Sequence, residues 1–331
     1  MRLTYLLPCS LCAVLAWWFP VAQADDSAPV AITEWIVPWE DTRPRDPWVG
    51  GPERIWFVGQ TGDYVATLNP QSGEFRRYEL APGTGPHTVI ADGRGAWYAG
   101  NRASHIGLVD PDSGAIEKIM MPGEGPGDVH TMDFTRAGDI WFTVQFGNQI
   151  GFLDTQTREV TLYEVPTASA RPYGLKVDDK DRPWVALFGT HKLATVTDAG
   201  VVKEIALPRR EARPRRLALG DNGGVWYVDY AQGYLGRYDP RSGEVTEWRM
   251  PGGEDSQPYA MGKDQRGWMW FVQTGVYPNR FVGFDHERAR FTEPAPIGSG
   301  GGTVRHMVFD PRIHAFWFGT DTNTVGRARV K

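Results

Sequence analysis

Seven side chains recur at one position of a repeating unit: Trp48, His87, His130, Tyr173, Arg215, Tyr259 and His306, where a Pro-x dipeptide or its equivalent begins the unit. Flat aromatic walls, imidazoles able to exchange protons near neutral pH and one guanidinium suit a bound organic molecule carrying a carboxylate or carbonyl. The competing reading is a channel plugged by aromatic rings, with histidines that bond backbone. Beside the ring lies an arginine cluster, Arg209, Arg210, Arg213, Arg215 and Arg216, which would steer an anion inward or form a solvated loop. His105, His191, His286 and His314 fall near third strands or in turns and read as structural.

What brings distant residues together is a repeat. Trp56, Trp97, Trp141, Trp184, Trp226, Trp270 and Trp317 are spaced by 41, 44, 43, 42, 44 and 47 residues, the length of a four-stranded propeller blade. The sequence therefore predicts an all-β fold, a seven-bladed β-propeller whose first strands line one axis. In each unit a first strand leads through a polar turn such as Asp221-Asn222-Gly223-Gly224 to the tryptophan strand. A third strand with Ile106-Gly107, Ile150-Gly151 or a relative follows, and a turn such as Asp110-Pro111-Asp112-Ser113-Gly114 opens the outer strand. Those acidic turns lack the closing Glu of a calcium loop and read as plain turns. Residues 31–38 match a fourth strand yet precede any first strand, while the last unit stops after its third. An N-terminal strand is thus expected to complete the last blade and close the ring, leaving no edge at the seam.

The 39 Gly, 25 Pro and 12% aromatic content agree with many short strands packed through broad apolar faces. Residues 1–24 read as a secretory signal: Arg2, an apolar run from Leu3 to Phe19, then Ala22-Gln23-Ala24. One propeller domain over residues 25–331 is expected, periplasmic or secreted, with no membrane attachment after cleavage. Cys9 and Cys12 both fall in the signal, so the exported chain carries no thiol. A net charge of −5 argues against nucleic acid as a partner.

Repeats of the form Pro-His/Tyr-x-hydrophobic, then Trp-Phe, then Ile-Gly-x-hydrophobic-Asp, then Gly-Glu-hydrophobic-Thr-Glu run through essentially the whole exported chain. In this they resemble the streptogramin B lyases (virginiamycin B lyase). The resemblance implies a seven-bladed propeller that linearises a cyclic depsipeptide by elimination at its ester, Mg2+ polarising the substrate and a His removing the α-proton. It places the base on His306 and one metal carboxylate on Asp321. The other metal carboxylate falls on Val304, and a substrate-contacting His falls on Tyr259.

Three functions are open at this point. One is an exported lyase-like enzyme in which His306 takes a proton and Asp321, with or without Mg2+, organises the oxyanion. Arg215, Tyr259, Tyr173, His130, His87 and Trp48 would hold a small molecule in the central channel. A second is a non-catalytic propeller that binds a ligand or an exported protein partner. The third, a lactonase-like hydrolase, needs carboxylates converging on a cation, and the seven-residue ring has none.

Overall fold

Each repeat tryptophan stands on the second strand of its own antiparallel sheet, and there are seven such sheets. The computed structural model describes residues 29–331; the expected signal, with Cys9 and Cys12, lies outside the described residues. The first strands are Pro44–Gly51, Val89–Asp92, Val129–Phe134, Pro172–Val177, Pro214–Leu219, Pro258–Lys263 and Met307–Asp310. Six sheets have four strands. In the sixth blade the outer edge is divided between Arg290–Phe291 and Ala295–Pro296, both paired with Arg280–Asp285.

Alternation along each strand sends one face to each neighbouring blade, so a blade is buried on both sides and its second strand is largely apolar. Ile140–Val144 and Val225–Asp229 are buried at every residue. Trp97, Trp270 and Trp317 are fully buried between blades, where truncation to alanine costs about 3–5 kcal/mol. The Ile-Gly signature has a steric cause: the aromatic after the tryptophan lies flat across the facing glycine. A Cβ at Gly107 would sit 2.2 Å from the Tyr98 ring, and one at Gly151 2.1 Å from Phe142.

The acidic turns direct their carboxylates to backbone. Asp110 Oδ1 accepts from the N–H groups of Asp112 and Ser113 at 2.9 and 2.8 Å. Asp178 and Asp264 bond their turn backbone through Oδ1 and also accept, through Oδ2, from the indole N–H of their own blade tryptophans, Trp184 and Trp270, at 3.1 Å.

The N-terminal strand Val30–Ile36 pairs antiparallel with Thr324–Val330, from Val30 opposite Val330 to Ile36 opposite Thr324. It is the fourth strand of the seventh blade, as the sequence predicts. Glu34 fastens the seam, accepting from the Ser299 N–H at 2.8 Å, the Ser299 hydroxyl at 2.6 Å and the Thr324 hydroxyl at 2.7 Å.

Candidate functional site

Counting back from the residue that faces each blade tryptophan fixes the register of the axial ring. Those facing residues are Trp48, Ile90, Asp133, Lys176, Ala218, Gly262 and Val308. Three positions earlier stand Arg45, His87, His130, Tyr173, Arg215, Tyr259 and Arg305. Five of the seven expected ring members therefore belong to it, and the two ends are corrected.

Trp48 is not in the ring. It lies directly opposite Trp56, packs edge-on against Phe134 and donates its indole N–H to Ala91 O at 2.9 Å, inside the contact between blades. The error arose because Pro44-Arg45 and Pro47-Trp48 both look like the motif that starts a blade, and only pairing with the second strand decides between them. His306 is displaced by one. It shares the next position along the strand with Asp46, Thr88, Thr131, Gly174, Arg216 and Ala260, while Arg305 takes the ring position.

The ring is closed by its own side chains. His87 and His130 lie with centroids 3.6 Å apart, His130 and Tyr173 3.9 Å apart, and the hydroxyls of Tyr173 and Tyr259 share a hydrogen bond. Arg45, His87, His130, Tyr173 and Tyr259 are all buried. The centre of the channel, where a ligand is expected, is filled by these side chains.

Beneath the ring, Asp46 is the one fully enclosed carboxylate on the axis. It takes Arg45 Nε at 3.0 Å and, from across the channel, Arg216 Nη2 at 3.2 Å, with Thr88 Oγ1 at 3.0 Å. Burial alone would raise its pKa, but the two guanidinium groups hold it well below the usual carboxylate range. Arg216 also donates to Thr131 Oγ1 and Arg305 O, both at 3.0 Å, and so ties the fifth blade to the first, third and seventh.

The histidines do not have the near-neutral pKa expected of proton carriers. Burial, reinforced by Arg45 and Arg216, pushes His87 and His130 well down, so both are neutral. His306 is pushed down to about 3, burial outweighing the attraction of Asp46; it is half-buried as a residue, yet its Nδ1 is sealed from solvent and unpartnered. His105 is structural, its ring held between Tyr98 Oη and Ala103 O, both at 3.1 Å.

The arginine cluster disperses. Arg209 pairs with Glu247 and Asp229, Arg213 caps the carbonyls of Arg210 and Ala212, and Arg216 enters the axis. Arg215 reaches the mouth, its guanidinium 3.6 Å from the Tyr259 ring centroid, 4.2 Å from Tyr230 and 4.6 Å from Phe188. Phe188, Tyr230 and Asp321 each follow their blade tryptophan by four residues, as does Gln60, which accepts from Arg45 Nη1 at 2.9 Å. This second ring was missed in the sequence, although the constant offset from tryptophan was there to find it.

Mg2+ takes one or two protein carboxylates and fills the rest of its shell with waters and substrate oxygens, and the residues in line to supply those carboxylates do not offer an open one. Val304 is a fully buried hydrocarbon in the core with Met307 and Phe318. Asp321 is gripped by Arg305 through both carboxylate oxygens, Nη2 to Oδ2 at 2.7 Å, with Arg43 Nε 3.6 Å away. Among the described residues no three His, Cys, Asp or Glu side chains are grouped to hold a metal. Asp46, one position along the strand from the ring, is already neutralised by two arginines.

The pattern of the Virginiamycin B lyase family matches residues 30–327. A virginiamycin B lyase of Nocardia farcinica is 31% identical over 224 residues, 64% of this chain and 74% of that protein. Among solved structures, a virginiamycin B lyase from Staphylococcus aureus superposes with a TM-score of 0.82 at 22% identity, covering 91% of this chain and all of the other. A catalytically inactive variant of the Staphylococcus aureus enzyme, solved with quinupristin, gives the same values. At that identity the superposition speaks for the fold.

Proposed function

The chain belongs to the virginiamycin B lyase family, and on that premise we propose that it is an exported member whose channel mouth binds a small organic anion without a divalent cation. The observation that carries this is a set of buried N–H donors that lack an acceptor. Arg45 is 4% exposed and its Nη2 has no partner; Arg215 Nε is likewise sealed and unpartnered. A buried donor left unsatisfied costs about 1–3 kcal/mol, which an acceptor oxygen at the mouth would recover. Charge agrees: the guanidinium groups of Arg45, Arg215, Arg216 and Arg305 face only the carboxylates of Asp46 and Asp321, and the histidines are neutral. Export rests on the signal-like residues 1–24, and periplasmic or secreted localisation follows from it.

Calorimetric titration of the purified protein with small carboxylates in EDTA tests this. Saturable binding, abolished by Arg45→Gln or Arg215→Gln in variants that still fold, is expected. Stabilisation by Mg2+ with no response to carboxylates would overturn it.

A second reading, proton abstraction by His306, rests on the family resemblance that places the base there; the ring is neutral and so able to accept a proton, while burial and the Arg216 charge make it a weak base. In that reading His306 takes the α-proton, and the mouth arginines stabilise the developing oxyanion where a metal would otherwise stand. Cleavage of a cyclic depsipeptide, followed by mass spectrometry and lost in His306→Ala at unchanged melting temperature, would establish it; equal turnover in that variant removes His306 from the chemistry.

A further inference from the structure

Resting on the anion-binding reading, we infer that the ligand is an aromatic carboxylate, its acid drawn by the Arg171 and Arg215 guanidinium groups and its ring against Phe146 and Phe188. Guanidinium groups and rings alternate across the mouth from the third blade to the sixth. Arg171 lies 5.4 Å from the centroids of both Phe146 and Phe188, Phe188 flanks Arg215, and Arg215 continues to Tyr230 and Tyr259. Stacking occupies the faces of these guanidinium groups rather than their N–H edges, of which Arg215 gives Nη2 to Tyr173 Oη at 3.4 Å. Arg171 Nε and Arg215 Nε are both buried without a partner, so each is a donor whose desolvation would be offset by an acid group entering beside it as the side chain shifts.

Phe146 marks where the rest of the ligand lies. Its side chain is 66% exposed, an unfavourable placement for a ring of this size, yet its backbone is fixed: Asp128 accepts from the Phe146 N–H at 2.9 Å and from the Gly147 N–H at 3.1 Å. A rigidly presented ring next to an arginine suits a planar apolar surface. Inorganic phosphate or a short aliphatic acid would engage the guanidinium edges and gain nothing from Phe146 or Phe188. The opposite side of the mouth, where Arg305 and Asp321 neutralise each other, offers no such surface.

Titration of the purified full chain with benzoate, phenylacetate, acetate and inorganic phosphate, at constant ionic strength, separates the outcomes. Benzoate and phenylacetate are expected to bind about tenfold more tightly than acetate, the scale of one aromatic contact. Phe146→Ala should remove most of that difference while leaving acetate affinity and the melting temperature unchanged. Arg171→Gln should weaken every carboxylate. Equal affinity for acetate and benzoate, or full benzoate affinity in Phe146→Ala, overturns the aromatic assignment and leaves the anion reading standing. No binding of any of the four overturns both.

Discussion

Tyr173 and Tyr259 share a hydrogen bond in contact with Arg215, and the pair gives the mouth a titrating group that is not a histidine. Burial raises the cost of a phenolate, but Arg215, Arg216 and Arg45 outweigh it and push Tyr173 down to about 8, while burial pushes Tyr259 up to about 12. The other rings packed on Tyr173 are His130, which is neutral, and Phe188. Ultraviolet difference titration should therefore show the pair giving up its first proton near pH 8 in the folded protein, a transition absent when both tyrosines are replaced by phenylalanine. The sign for stability follows from the lowered value: ionised Tyr173 stabilises the fold fully above the pKa of a free tyrosine and loses that contribution as pH falls through about 8. Carboxylate binding should weaken over the same rise in pH, because the phenolate then competes for the Arg215 charge. A mouth that binds equally well on both sides of pH 8 would separate the pair from the site.

Among the strands, the closing one carries the most consequence. Val30–Ile36 covers Thr324–Val330, which would otherwise present a full row of unpaired N–H and C=O groups. Asn323 adds to the seam by donating to the carbonyls of Val37 and Trp39 at 3.0 and 2.7 Å. Removing residues 30–36 is expected to yield oligomers or aggregates on size-exclusion chromatography, with a lower melting temperature. A monodisperse monomer with unchanged melting would show that the seam does not need this strand. Glu34→Ala is the milder version. It strips acceptors from Ser299 and Thr324 and should cost about 1–3 kcal/mol in denaturant unfolding.

At the scale of the molecule, Asp46 acts as an axial rivet. Most contacts between blades are with the next one round the ring, whereas Asp46 and Arg216 join the first blade to the fifth across the channel. Removing the carboxylate leaves two buried guanidinium groups facing each other, so Asp46→Ala should lose about 3–5 kcal/mol in chemical denaturation. Arg216→Met combined with Asp46→Leu should lose less than the two single changes together. Since the folded Asp46 pKa is depressed, its contribution is complete above the ordinary carboxylate range and disappears as acid conditions pass down through that lowered value. Acid unfolding of Asp46→Asn should accordingly be less steep than that of the parent.

Seven tryptophans at nearly constant spacing determined the blade count by themselves, because a four-stranded sheet has a set length and each sheet needs one large side chain to fill the space against its neighbour. An outer-type strand at residues 31–38 that precedes every first strand likewise determined how the ring closes. Register along the axis was beyond the sequence: Trp48 or Arg45, Arg305 or His306 differ by a few residues, and strand pairing, bulges included, chooses between them. Charge was decided only in the folded protein as well. Burial among arginines makes the histidines neutral, the Arg305 clamp turns Asp321 from an open ligand into half of an ion pair, and stacking turns scattered phenylalanines and arginines into one surface. Periodicity fixes which residues approach the axis, whereas their protonation and partners depend on neighbours that are dozens of residues away in the chain.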